Sequence, residues 1–128
     1  MKTRALTLFA ILCICIACYL LYSTLFWGKV ILVSDVTKPE RLTLTSDRRN
    51  VNAARLHTTG YLDGEAVLSW NCSNFDDRCE HEEHLPPGNI DVEMGGDWYE
   101  ETYILKYQPT SSVHSGNIQI RYELYGHN

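Results

Sequence analysis

The sequence lacks the short motifs on which many small enzymes depend. It contains no G-x-S-x-G segment for a nucleophilic serine, no G-x-G-x-x-G segment and no phosphate-binding loop. Three of its five cysteines lie within the first 28 residues, and the other two suit a disulfide better than a catalytic thiol. These absences predict a protein that is not an enzyme and that requires no cofactor.

Charged residues are missing from most of the N-terminal part of the chain. None occurs from Ala5 to Trp27, a run of 23 residues that would be about 34 Å long as an α-helix. A bilayer hydrocarbon core is about 30 Å thick, whereas the apolar part of a signal peptide has only about 7–15 residues before a cleavage site. The run is longer than that, and no A-x-A-like site stands out. We expect an uncleaved membrane anchor over residues 1–28, with residues 5–27 crossing the membrane.

Basic residues near this run predict its orientation. Lys2 and Arg4 precede it and Lys29 follows it, so the positive-inside rule favours a cytoplasmic N-terminus. Residues 29–128 would then form one periplasmic or extracellular domain of a single-pass membrane protein. An alternative is a lipoprotein, because Cys18 follows Ala17 as a lipidated cysteine would, although hydrophobic residues continue well beyond it.

The predicted exported part is acidic. Residues 29–128 hold nine basic and sixteen acidic residues, a formal net charge of −7 with neutral histidines. Such a balance argues against binding to nucleic acid, which requires basic surfaces. It is compatible with a protein partner, which the sequence does not identify.

Two cysteines in this acidic part predict a disulfide bond. Cys72 and Cys79 are separated by the six residues SNFDDR, and an even pair in an oxidising compartment is typical of a bridge. Closing so short a loop stabilises the folded chain by on the order of 2.5 kcal/mol in the loop-entropy model. The bridge is therefore expected to be a local clasp.

Period-2 patterns dominate the chain after residue 34 and indicate strands. In NIQIRYELY the apolar residues alternate with polar ones, and ARLHTTGYLDGEAVLSWN is typical of a hairpin that turns at Asp63 and Gly64. No window shows helical periodicity over three turns. The pattern predicts an all-β fold, a small β-sandwich of about six to eight mostly antiparallel strands, preceded by one N-terminal transmembrane helix.

Three segments, GYLDGEA, GGDWY and SGNIQIRYEL, resemble parts of small bacterial membrane-anchored envelope proteins of uncharacterised role. The resemblance covers about half of the exported part. It implies an extracytoplasmic β-domain, and it implies no activity.

The segment RCEHEEHLPPG, residues 78–88, is a candidate metal site. Its possible ligands are His81 and His84 with Glu80 and Glu83. The histidines are three residues apart, not four as in the helical zinc-hydrolase motif, and the two prolines that follow would end a helix. We therefore expect a solvated acidic loop beside the disulfide, with weak binding of a divalent metal as the alternative.

The segment GGDWY is a second candidate site. Two glycines would permit a tight turn that presents Asp97, Trp98 and Tyr99 near a loop tip, where aromatic rings could stack on a sugar. The alternative is that Trp98 folds back over the sandwich, since tryptophan is mostly buried.

Together these features predict a membrane-anchored interaction or accessory module of the cell envelope. The alternative is a small-ligand binder, for a divalent metal through His81 and His84 or for a glycan through Trp98.

Overall fold

The computed structural model describes residues 2–25, 28–46, 50–73, 78–100 and 102–126. These residues form one helix and eight strands. In chain order they are α1 (Lys2–Leu25), β1 (Lys29–Leu32), β2 (Glu40–Thr45), β3 (Ala53–Leu62), β4 (Ala66–Cys72), β5 (Cys79–Leu85), β6 (Gly88–Asp97), β7 (Thr102–Pro109) and β8 (Gly116–Tyr125).

The strands form two four-stranded antiparallel sheets. One has the order β1-β8-β3-β6 and the other the order β2-β7-β4-β5. Their inner faces share one hydrophobic core. The prediction of a small β-sandwich with six to eight strands and an N-terminal helix is confirmed.

The core follows from alternation along each strand, because successive side chains point to opposite faces of a sheet. On β8, Ile118 and Ile120 are buried while Gln119 between them is partly exposed. The same alternation buries Leu56, Thr58 and Leu62 on β3, and Ile90 and Met94 on β6. On β7 the inner residues Tyr103, Leu105 and Tyr107 are buried, and so is Ile104 on the opposite face. The inner row of β8 is the one that the alternation in NIQIRYELY predicted.

The predicted pairing of β3 with β4 is wrong, although both strands exist. β3 lies in one sheet and β4 in the other, so Asp63 and Gly64 connect the sheets and do not close a hairpin. The connection is held by the segment between β7 and β8. The Asp63 carboxylate accepts hydrogen bonds from the His114 amide at 2.9 Å and the Ser115 hydroxyl at 3.2 Å, and the Glu65 amide donates to the Ser111 hydroxyl at 2.7 Å.

Two other local predictions are corrected. The segment expected to be an acidic loop is largely the edge strand β5, paired with β4. Gly95 and Gly96 do not form a turn with positive φ, because both belong to β6 and pair with β3. Their extended backbone carries β6 as far as Asp97.

Within the described part of the chain, α1 contains one segment long and apolar enough to cross a membrane, Ala5–Ser23, with a mean hydropathy of 2.5. These properties suit a membrane anchor or a signal sequence. The last two residues of the predicted span, Phe26 and Trp27, lie outside the described residues. β1 begins at Lys29, so its first Cα lies within about 15 Å of the Cα of Leu25, four steps of about 3.8 Å along the chain.

The end of the sandwich that contains Lys29 is called here the helix-proximal end. Thr45 and Ser46, where β2 ends, line a small hollow there with Gly28, Lys29 and Leu124. Because the strands are antiparallel, β4, β6 and β8 also end at this side, while β3, β5 and β7 begin there.

Candidate functional site

A disulfide bond joins Cys72 at the end of β4 to Cys79 at the start of β5. The predicted clasp is therefore present, at the helix-proximal end. It fixes the register of β4 and β5, in which Trp70 lies opposite His81. Residues 74–77, between the two cysteines, lie outside the described residues.

Two side chains of this register pack directly against each other. The indole of Trp70 and the imidazole of His81 stack with centroids 5.3 Å apart and planes inclined by 29°. Trp70 is half-buried and His81 is exposed, because β5 is an edge strand. The stacked pair forms one wall at the side of the sandwich.

That wall borders a cleft of about 210 Å³, called here the edge cleft. The edge cleft lies between β5 and β6, the adjoining edges of the two sheets. Its lining residues are Trp70, Asn71, Glu80, His81, Gly95, Gly96, Asp97 and Tyr103. On β5 the inner positions beside the cleft carry His81 and Glu83 and no aliphatic residue.

Asn71, beside the cleft, combines an unusual backbone conformation with a partly unsatisfied side chain. Its φ of 58° lies in the left-handed region, which asparagine tolerates better than most residues. Its side-chain amide nitrogen donates a hydrogen bond to the Glu80 carboxylate. Its side-chain oxygen is buried and has no hydrogen-bond partner among the described residues.

Tyr103 closes the inner side of the cleft. Burial raises the pKa of its hydroxyl well above the ordinary value, the backbone of Asn71 opposes this shift through a hydrogen bond, and the charge of Glu80 adds to it. The hydroxyl therefore remains protonated at neutral pH. Its ring meets the ring of Trp98 edge to face, with centroids 4.7 Å apart.

Residues of both candidate segments, RCEHEEHLPPG and GGDWY, line this cleft. Glu80 and His81 line it from one sheet and Asp97 from the other. Trp98 is half-buried and packs against the core, as the alternative interpretation of this residue expected, while Tyr99 is 76% exposed. The indole nitrogen of Trp98 is buried without a hydrogen-bond partner among the described residues.

The structure does not bring His81 and His84 together. They lie three positions apart on β5, so their side chains point to opposite faces of the sheet. Glu80 and Glu83 are likewise on opposite faces. In the described part of the chain, no three side chains of His, Cys, Asp or Glu converge as metal ligands would.

A second concave surface lies on the outer face of β2-β7-β4-β5 and is called here the broad hollow. It encloses about 850 Å³. Across its floor run Arg41, Lys106, Ser69 and Glu82, aligned by the strand register from β2 to β5. The one aromatic residue among its described lining, Tyr107, is buried in the core, so the broad hollow offers a mixed-charge surface and no exposed ring for stacking.

Residues of the edge cleft that the sequence did not reveal are Trp70, Asn71, Gly96 and Tyr103. Trp70 and Tyr103 lie on strands that face the core, and a period-2 pattern does not distinguish a core residue from one beside a cleft. Their assembly depends on the pairing of β4 with β7 and on the approach of β6, which period-2 alternation does not specify.

Comparison with known proteins leaves this chain without an identified family. No protein-family model and no curated protein matches the sequence. Nine chains of solved structures match it. One, described as "BiXyn10A CBM1 APO", has 11% sequence identity and a TM-score of 0.41, and the match covers 79% of this chain and 71% of that chain.

Proposed function

We propose that this chain is a membrane-anchored extracytoplasmic β-sandwich that acts as an interaction or accessory module of the cell envelope. Supporting this, α1 is long and apolar enough to span a bilayer, and the disulfide is typical of an oxidising compartment. Lys2 and Arg4 before the span favour a cytoplasmic N-terminus. The sandwich would then lie in the periplasm or outside the cell.

The observation that carries the proposal is the short link between helix and domain. A separation of at most about 15 Å between Leu25 and Lys29 leaves no room for a long stalk. Anchored in this way, the sandwich lies against the membrane surface, where it can meet other proteins of the same membrane.

The broad hollow is the surface that we assign to a protein partner. Its lining carries positive charge on Arg41, Arg78 and Lys106 and negative charge on Glu40 and Glu82. A charge pattern of this kind selects a partner with the opposite pattern and orients it during encounter.

Site-specific photo-crosslinking of the full-length protein in native membranes tests this assignment. A photoreactive residue at Gln108, on the rim of the broad hollow, should give one discrete cross-linked protein, and Lys106→Glu should weaken that band. The same probe at Gln119, on the outer face of the other sheet, is the matched control. Equal cross-linking from both positions, or a Gln108 band whose intensity Lys106→Glu does not change, contradicts the proposal.

The anchor itself has a separate test. Mass spectrometry of the mature protein should recover an intact N-terminus. A chain that begins at a lipidated Cys18, or one that lacks α1, would replace the proposed anchor with a lipoprotein or a cleaved signal sequence.

The edge cleft supports a second candidate function, the binding of a small ligand. Its lining combines polar residues with the aromatic residues Trp70, His81 and Tyr103, a mixture common in small-molecule sites. This candidate does not depend on the broad hollow.

A further inference from the structure

The first strand of the sandwich carries an apolar pair that the core does not use. Outside α1, the described residues expose two large aliphatic side chains, Val30 at 47% and Leu32 at 61%. Both lie on β1, two positions apart, so they share the outer face of the sheet, while Ile31 between them packs against the core. In the described sandwich, strong exposure of large aliphatic side chains is therefore confined to the outer face of β1.

This pair follows the apolar helix closely along the chain. The Cα atom of Val30 comes five steps of about 3.8 Å after that of Leu25, and the Cα atom of Leu32 comes seven steps after it. The two residues therefore lie within about 19 Å and about 27 Å of the end of α1. With α1 in a bilayer, both are within reach of the lipid surface, which can remove their side chains from water.

The neighbours of the pair on β8 suit the boundary between lipid and water. Arg121 lies opposite Val30, and Tyr125, farther along the outer face of β8, is 37% exposed. Tyrosine is enriched at the level of the lipid headgroups, and arginine can place its charge among lipid phosphates while its aliphatic part covers apolar surface. Glu123 is the one acidic residue on the outer face of these two strands. The strip therefore combines aliphatic, aromatic and basic side chains.

We propose that the outer face of β1 and β8 lies on the lipid surface of the membrane that α1 spans, with Val30 and Leu32 in contact with lipid. This inference rests on the proposed membrane anchor and adds the side of the sandwich that meets the bilayer. The strands then run along the membrane surface. The broad hollow, on the outer face of the other sheet, faces away from the membrane and is open to the soluble part of a partner.

An upright sandwich, with its helix-proximal end on the lipid, fits the observations less well. In that arrangement β1 would rise from the membrane, and Leu32 would be lifted about 10 Å above Lys29, three residues at about 3.3 Å each. The exposed carboxylates of Asp97 and Glu100 would be brought toward the negatively charged lipid phosphates. The exposed pair on β1 would have no role.

Paramagnetic relaxation in lipid nanodiscs tests the arrangement. The full-length protein, labelled with ¹³C at the methyl groups of leucine, valine and threonine, is placed in phosphatidylcholine nanodiscs. Part of the lipid carries a nitroxide at the headgroup end of its acyl chain, and the enhancement of methyl relaxation falls steeply with distance from it. The methyl groups of Val30 and Leu32 should show enhancements several-fold larger than that of Thr43.

Thr43 is the matched control. It is exposed on β2, on the outer face of the other sheet. It also lies at a similar level along the strands as Val30, because Thr45 and Lys29 line the same small hollow. An upright sandwich would therefore give Val30 and Thr43 similar enhancements, and this result would overturn the proposal.

Replacing Leu32 with Asp tests whether the contact is apolar. The enhancement at Val30 should fall several-fold, because a carboxylate is costly to remove from water. Leu32 is exposed, so the fold should be kept, and unchanged methyl resonances of the buried Leu105 would show this. Gln108→Asp adds the same charge on the outer face of the other sheet and should leave the Val30 enhancement unchanged. An unchanged Val30 enhancement in Leu32→Asp would overturn the proposal.

The same spectra separate this inference from the proposed anchor. The methyl groups of Leu21 in α1 report insertion of the helix. Strong enhancement at Leu21, with Val30 and Leu32 no more affected than Thr43, would reject the lipid contact and retain the anchor. No enhancement at Leu21 would reject the anchor and this inference with it. Neither reading depends on cross-linking at the broad hollow.

Discussion

The hydroxyl group of Tyr107 on β7 donates a hydrogen bond of 2.9 Å to the carbonyl oxygen of Val36, 71 residues earlier in the chain. Both residues are buried in the core. Val36 lies in the connection from β1 to β2, which passes from one sheet to the other. The bond therefore fastens this crossover to the inner face of β2-β7-β4-β5.

Replacing Tyr107 with Phe should lower the free energy of unfolding by about 1–3 kcal/mol. The variant keeps the ring but leaves the Val36 carbonyl without this donor. Urea denaturation monitored by circular dichroism measures the change. Tyr61→Phe removes a hydroxyl from a residue that is 47% exposed and should change stability by less than about 0.5 kcal/mol. Equal effects of the two substitutions would show that the buried bond is not important for stability.

The free energy of unfolding should fall as the pH rises above about 10, the ordinary pKa of a tyrosine side chain. Burial raises the pKa of Tyr107, the charge of Asp35 adds to the shift, and burial also raises the pKa of Tyr103. A group whose pKa is higher in the folded than in the unfolded state stabilises the fold fully at a pH below its unfolded pKa. This stabilisation is lost as the pH rises through the folded pKa. Tyr107→Phe should make the alkaline loss smaller. An identical alkaline slope in wild type and variant would contradict this expectation.

Replacing Thr58 with Val should raise the free energy of unfolding by about 1 kcal/mol. Thr58 is fully buried on β3, and its hydroxyl has no hydrogen-bond partner among the described residues. Valine has nearly the same shape and removes the cost of burying that group. Thermal and urea unfolding measure the gain. Thr43→Val, at an exposed position of β2, is the matched control and should be nearly neutral.

Replacing Asp63 with Asn should destabilise the domain at neutral pH and not at acidic pH. Hydrogen bonds from the backbone amides of His114 and Ser115, the first having the larger effect, lower the pKa of the Asp63 carboxyl. The Asp63 carboxylate therefore stabilises the fold at a pH above its unfolded pKa of about 3.9. This stabilisation is lost as the pH falls through its lower folded pKa. Unfolding curves between pH 2 and pH 7 would show wild type and variant converge at low pH. Glu65→Gln, at an exposed position in the same connection, should show no such convergence.

Replacing Ile120 with Asp should abolish folding. Ile120 is fully buried on β8, which pairs with both β1 and β3, and a carboxylate there would have no compensating partner in the apolar core. Far-UV circular dichroism should show loss of the strand signal. Gln119→Asp places the same charge on the outward side of the same strand and should keep the fold. Native stability of Ile120→Asp would contradict the assigned inner face.

The sequence was sufficient to predict the inner faces of the strands, because burial on one side of a sheet imposes a period of two. Ile118 and Ile120 on β8 are examples. The same pattern does not specify which strands are neighbours. An Asp-Gly pair is typical of a hairpin turn. Here the Asp63 carboxylate instead accepts hydrogen bonds from His114 and Ser115, in the connection between β7 and β8.

The edge cleft was harder to predict, for a related reason. β5 was missed as a strand because Leu85 is its one fully buried side chain, and both of its faces carry polar residues. Gly95 and Gly96 resembled turn residues. In the structure, a Cβ atom at Gly95 would collide with the carbonyl oxygen of Ala54, whereas one at Gly96 would meet nothing within 4 Å. These roles depend on neighbours that are distant in sequence.

The order of the strands also has a consequence for how the domain folds. Of the described strands, β4 and β5 are the one pair that follow each other in the chain and also bond to each other, and β1 bonds to β8 at the far end of the sequence. Pairings between distant segments form slowly, because the entropy of closing a long loop is lost before contacts are gained. The hairpin clasped by Cys72 and Cys79 is therefore the natural local nucleus. Completion of the other sheet must wait until β8, the last of the described strands in chain order, has been synthesised.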